Sequence, residues 1–330
     1  MSRDLVTFNE LPDYDDLSDE ECELQARRIL TYNKEALRAG QQVDSIYMFH
    51  PGFKAAVGGC DRIFQISREL TTAQGMRLFG PPGTGKTSVF NYFSRSLPKS
   101  TLFAPGWGCI GIRAYQRTTV GHLVAGLLRA YKYPFTRVSE QLIYLRRNLV
   151  FELVRQKGTR LIFIDSAQHL LHSGKPNSSE PSGNDFLVEL MDETQVGIVL
   201  AGDELLGKDE LMCKALLNRI TVCVDLQNFP ANLQWEGVVK ALVKACTSVD
   251  LGFLLTSGQP KTLHGASNGN LRSLKRLATE AAMVCVQEGG RSVTREHLCT
   301  AYDRVVGNVS NRLNPYVESR PASVAPGCAV

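Results

Sequence analysis

The chain has 330 residues, 43% of them hydrophobic, enough for a sizeable core and, at about 150 residues per domain, for roughly two domains. No run of about 18 apolar residues occurs, which excludes a membrane-spanning helix, and the start, MSRDLVTFNELPDYDD, lacks the basic and apolar regions of a signal peptide, so a cytoplasmic setting is expected. The net charge of +4 is uneven: residues 1–23 hold nine acids against one base (−8) and the rest holds 36 bases against 24 acids (+12), which points to a polyanionic partner for the body and to a leader that competes for that site, docks elsewhere or is simply solvated.

Ser18-x-x-Glu21 has the form of a capping box and predicts a helix running to about Arg38 and stopping at Gly40. His50-Pro51-Gly52 reads as a turn before a helix over about 54–70. GMRLFG then reads as a short strand, and PPGTGKTSVFNYFSRSL as a glycine loop opening a helix. A strand is predicted at Gly108–Arg113, with Thr118 and Thr119 as caps for a helix to about Tyr131. Ser139 opens a further helix through Gln156. RLIFID is apolar without alternation, as in a parallel sheet covered on both faces. Residues 174–185 read as a surface loop, and 196–202 and 221–226 as two more strands. From about Leu233 to Val306 the pattern is helical. The expected organisation is an acidic leader and helix (1–44), an α/β nucleotide-binding core (45–230), a helical lid (231–308) and a flexible tail (309–330). The nine cysteines form no CxxC pair, so reduced thiols are expected and zinc is not.

Gly80-Pro81-Pro82-Gly83-Thr84-Gly85-Lys86-Thr87 fits the phosphate loop GxxxxGK[ST] between a predicted strand and helix. Such a loop turns backbone N–H groups around phosphates, and the helix start, including Ser88, adds positive potential. Lys86 would reach the β and γ phosphates of ATP and Thr87 would hold Mg²⁺. Asp165, ending the buried strand, is the expected anchor for the magnesium shell. Ser166 stands where a second acid would be expected to activate water. Either hydrolysis is slow and ATP binding is the signal, or another acid serves. Asp203, just after the next core strand, is the candidate, and a solvent-facing loop acid is the plainer reading of it.

With those segments in hand, the chain resembles an AAA+ P-loop NTPase, with a doubly wound parallel sheet and a small helical lid domain. More narrowly it is similar to TniB/TnsC-type regulators of DNA transposition, related to MuB-type target-selection ATPases. The resemblance covers roughly residues 45–305. It rests on the phosphate loop, FIDSAQHLL, GIVLAGDEL, LLNRI before a strand, and SNGNLRSLKRLATEAA. It implies that Arg219 of LLNRI is an arginine finger for the neighbouring subunit, the alternative being a helix-end arginine. It implies that Arg272 of GNLR is a lid arginine that reads the γ-phosphate within one subunit. Ser166 departs from the family's usual catalytic glutamate and Asp203 from its usual threonine.

The resemblance further implies rings or filaments of self-associated subunits around double-stranded DNA, in the bacterial cytosol or nucleoid. The implied partners are a transposase and a target-selection protein, which in some members is an RNA-guided complex. Candidate DNA contacts are Arg113, Arg117, Thr119, Lys132, Arg146 and Arg147, with Arg113, Arg117 and Thr119 first. Tyr115, Gln116 and Thr118 are further neutral donors to phosphate. The alternatives are a weakly hydrolysing ATP-binding scaffold and an AAA+ helicase loader.

Overall fold

The computed structural model describes residues 32–97, 108–116, 118–135, 142–171, 182–307 and 313–317. The acidic leader, the expected Ser18 cap, Ser139 and Arg117 lie outside them. Two compact units emerge: an α/β unit of residues 47–242 and 260–274, and a helical unit made of residues up to 46, 243–259 and 275 onward.

Five short parallel strands form the centre of the α/β unit: β1 (Gly75–Phe79), β2 (Cys109–Arg113), β3 (Leu161–Asp165), β4 (Gly197–Ala201) and β5 (Val222–Asp225), in the order β2-β3-β4-β1-β5. Parallel pairing requires helical crossovers, so both faces are covered and the strands carry apolar residues on both. The pleat sorts them. Ile162, Ile164, Ile198 and Leu200 pack into one core, with α4 (Val120–Ala130), α5 (Ile143–Gln156) and α6 (Gly183–Thr194). Leu161, Phe163, Val199 and Ala201 pack into the other, with α2 (Pro51–Ile66) and α3 (Lys86–Ser96). Gly111 of β2 leaves room for the Phe90 ring, which stacks on Phe163 at 4.9 Å; a Cβ there would stand 2.5 Å from that ring.

Several helix boundaries differ from expectation for packing reasons. Pro51-Gly52 is the first turn of α2, not a turn before it: proline suits the first helical position, and His50 Nδ1 accepts from the Phe53 N–H at 3.3 Å. Thr119 caps α4 as expected, but Thr118 is buried and its hydroxyl is bound to the backbone of Tyr115, so it is not a free phosphate donor. The expected loop at 174–185 ends inside α6, whose first turn is set by a Ser182–Asp185 capping box.

In the helical unit, α1 (Lys34–Ser45) runs straight through Gly40. The expected stop fails because Gly40 is a contact surface: a Cβ there would lie 2.7 Å from the Met283 sulfur. After α7 (Lys214–Leu217) and β5, the α/β unit takes in most of α8 (Leu233–Ala245), nearly all of α9 (Gln259–Ser267) and the first turn of α10 (Leu271–Gln287), while the rest of α10 and α11 (Arg295–Val306) belong to the helical unit. Part of the expected flexible tail is packed: Tyr316 is buried against Tyr302, and its carbonyl accepts from Arg295 Nε at 2.9 Å. The seven cysteines among the described residues are free thiols, and burial pushes the Cys60 thiol up to about 12, far from reactive. Among the described residues no helix is long and apolar enough to cross a membrane.

Phe163 is 1% exposed at the centre of the sheet. Phe163→Ala is expected to lower the unfolding free energy by about 3–5 kcal/mol, measured by urea denaturation. A loss below about 1 kcal/mol would mean the two-faced core is misdescribed.

Candidate nucleotide site

Because all five strands are parallel, their C-terminal ends share one edge, where ligands of doubly wound sheets bind. β1 delivers residues 80–85 to that edge. Gly80, Gly83 and Gly85 have φ of +136°, +88° and +100°, which side chains rarely tolerate. Gly80 is also pressed against β5's exit: a Cβ would stand 2.1 Å from the Leu226 carbonyl oxygen. The loop is further closed by Thr84 Oγ1 donating to the Pro81 carbonyl at 3.0 Å. Lys86 and Thr87 then begin α3, with Ser88 in the same first turn. The first N–H groups of a helix have no helical acceptor and suit an anion.

Lys86 Nζ donates to the carbonyls of Gly80 and Pro81, each at 2.7 Å. Burial lowers its pKa, opposed by Asp165; nearby Arg272 lowers it further, while Asp203 and Asp225 hold it up. An anion entering the loop would favour the charged form further. Thr87 Oγ1 donates to Asp165 Oδ2 at 3.1 Å, and Ser166 N–H donates to Asp165 Oδ1 at 2.8 Å. The two residues expected to hold magnesium are therefore in contact. A hydroxyl and a carboxylate fit a hard cation that completes its shell with phosphate and water oxygens. Among the described residues no group of three or more His, Cys, Asp or Glu could hold a metal by itself.

Ser166 has left-handed backbone (φ 57°, ψ 35°), so the chain turns sharply off β3 into the short 3₁₀ turn 167–170. Asp203 lies within electrostatic reach of Lys86, but its Oδ1 caps the next turn, accepting from Leu205 N–H at 3.0 Å. Arg272 is fixed to the loop by its backbone, its N–H donating to the Gly83 carbonyl at 3.0 Å.

Several residues here carry no sequence motif. Asn270 donates to the Pro82 carbonyl at 2.8 Å and to Asn228 Oδ1 at 2.9 Å, while its Oδ1 accepts from Arg272 N–H at 3.1 Å. Asp225, ending β5, is a third carboxylate in reach of Lys86. His50 is 9% exposed, its Nε2 has no partner, and its ring meets Phe229 edge-on at 4.9 Å. Its neighbours Gly52 and Leu226 tie this aromatic wall to Gly80. A histidine followed by Pro-Gly looks like a turn, so only the fold brings it here.

Arg219 lies elsewhere. Its carbonyl accepts from Gly75 N–H at 2.8 Å, which sets it at the start of β1, five residues and about 16 Å from the loop. Its guanidinium pairs with Asp192 of α6 through Nε (2.8 Å) and Nη2 (2.7 Å), and Nη1 donates to the Ala215 carbonyl at 2.8 Å.

Among the expected DNA contacts, Arg113 and Thr119 are exposed, Arg113 in register with Asp165. Lys132 follows α4 with left-handed backbone, and Arg146 lies over the Tyr133 ring at 5.6 Å. Arg147 is different. It is ion-paired to Glu189 with its side chain only 15% exposed, so it holds α5 to α6 and is poorly placed to meet a phosphate.

The AAA domain family matches residues 68–208. Among curated proteins, a probable spastin homolog of Brugia malayi is 27% identical over 230 residues, covering 66% of this chain and 43% of its own length. The proteasome-activating nucleotidase of Pyrococcus furiosus is 24% identical over 308 residues, covering 87% and 64%. The chain thus spans about two fifths to two thirds of the length of these relatives. Among solved structures, the Aeropyrum pernix ORC1 protein in complex with DNA has a TM-score of 0.55 at 18% identity, covering 78% of this chain and 66% of that one. Cdc6p from Pyrobaculum aerophilum has a TM-score of 0.54 at 13% identity, covering 80% and 70%.

Two measurements test the site. Asn270→Ala is expected to weaken ATP binding by about five- to ten-fold in calorimetry, from the loss of the hydrogen bonds that brace the loop. Only the ammonium form of Lys86 attracts phosphate, so affinity should fall as pH rises through its lowered pKa, earlier than for an ordinary lysine; Lys86→Arg should flatten that profile. Residues 68–208 match the AAA domain family, and the fold that carries them is that of the AAA+ P-loop NTPases.

Proposed function

We propose that this chain is an ATP-dependent regulator of DNA transposition that assembles on double-stranded target DNA and links a target-selection factor to a transposase. The observation that carries the assembly is the separation of Lys86 from Arg219 across the sheet. An arginine at the starts of the strands does not reach a triphosphate at their ends, so the triphosphate it meets belongs to another copy.

In this reading ATP lies in the 80–87 loop, with Lys86 on the β and γ phosphates and His50 and Phe229 against the base. Thr87 and Asp165 would hold Mg²⁺, whose charge would offset that of the phosphates. Arg272 reads the γ-phosphate in its own subunit and Arg219 that of its neighbour. Ser166 cannot act as a base, so turnover is slow unless Asp203 orients the attacking water. Arg113, Arg117, Thr119, Lys132 and Arg146 supply sequence-independent phosphate contacts, few per copy and multiplied by assembly.

A second reading has support in the fold. The likeness to an ORC1 protein in complex with DNA favours a replication-initiator or helicase-loader role, which predicts a stable complex with a helicase. A third, the near-inactive scaffold, is favoured by Ser166 and predicts tight ATP binding without phosphate release, with or without duplex DNA.

Electron microscopy and sedimentation of the protein with ATP and duplex DNA are expected to show rings or filaments. Lys86→Ala should abolish them. Arg219→Ala should keep ATP binding by single copies but lose stable oligomers. Arg113→Ala should weaken DNA binding and reduce the salt dependence by about one phosphate contact. Monomers throughout, with nucleotide and duplex in excess, would end this proposal.

A further inference from the structure

We infer that Asp192 is a latch on Arg219: within a single copy it neutralises the arginine that assembly needs, and a neighbour's triphosphate must displace it. This rests on the reading of Arg219 as the residue that meets the neighbouring copy's nucleotide.

The contact has a specific form. The Nε and Nη2 edge of the guanidinium faces both carboxylate oxygens, at 2.8 and 2.7 Å. Such a two-pronged edge is what a guanidinium offers to phosphate. Asp192 therefore fills the recognition face with a carboxylate and cancels the charge that would attract a phosphate. Nη1 is turned to the Ala215 carbonyl at 2.8 Å, which fixes the plane of the group and leaves its other edge only partly free.

The two partners are unequal. Asp192 is carried near the end of α6, where Gln195 Nε2 donates to its carbonyl at 2.7 Å and holds the helix end. Arg219 sits on the short run between α7 and β5 at the end of a long flexible side chain. The arginine is the member that moves. Its side chain is 24% exposed and that of Asp192 49%, so both are reachable from solvent. A carboxylate that exposed is readily rehydrated once released, so opening costs little, and a triphosphate carries more negative charge than one aspartate. The pair is thus set to yield to a γ-phosphate and to re-form when it is lost, which biases the lone copy against premature contact.

The test uses the full chain with ATP, Mg²⁺ and duplex DNA, and reads the protein concentration at half-assembly by light scattering. Asp192→Asn should lower that concentration by about two- to five-fold, the scale of a partly exposed ion pair. Asp192→Glu, which keeps the charge, should stay near the parent, separating loss of charge from damage to α6. Arg219→Ala should fail to assemble, and Asp192→Asn with Arg219→Ala should fail equally, since the latch has nothing to release. An unchanged or raised threshold for Asp192→Asn, with Arg219→Ala defective, would overturn the latch and leave the reading of Arg219 intact. Normal assembly by Arg219→Ala would overturn both.

Discussion

The parallel pairing of five buried strands is the constraint from which the rest follows. Strands that all run one way must all end at one edge. The phosphate loop after β1, Asp165 at the end of β3, Asp203 beyond β4 and Asp225 at the end of β5 are far apart in sequence, yet they converge on Lys86. The same pairing sends the residues before each strand to the opposite edge, Arg219 among them. The close approach of Gly80 to Leu226 locks the loop to the neighbouring strand, so the position of the phosphate seat is set by sheet register.

The electrostatics of the site are a balance between burial and charge. Lys86 loses water by entering the loop and is held protonated by three carboxylates, with Arg272 pulling the other way. A site that already contains three acids would repel a triphosphate without its cation. The contact between Thr87 and Asp165 is therefore a reason to expect nucleotide and metal to enter together. The left-handed turn at Ser166 directs the chain away from β3 just past Asp165, so the residue after the strand is strained whatever its side chain.

Much of this was legible in the sequence wherever the signal was local. Glycines with lysine and threonine at fixed offsets, apolar runs without alternation and the Thr119 cap each require only neighbours in the chain. The roles without a local signal depend on distant residues. Gly40 looks like a helix stop until Met283 is packed on it. His50 looks like a turn residue until Phe229 arrives from beyond β5. Asn270 braces Pro82 across nearly two hundred residues, and Asp192 is one acid among many on α6 until α7 brings Arg219 to it. Arg147 shows the converse: a basic residue beside other basic residues suggests a binding face, but helix packing has given it an internal partner, Glu189.

The distance between loop and arginine has a geometric consequence for any assembly they build. In the proposed assembly a copy has its receptor on one rim of the sheet and its probe on the other, two unlike faces that would join front to back. Every finite stack then ends in one unmatched probe and one unmatched receptor, and only closure into a circle removes both. An open stack is consequently a polar track, whose two tips offer different surfaces to whatever must recognise one end and not the other.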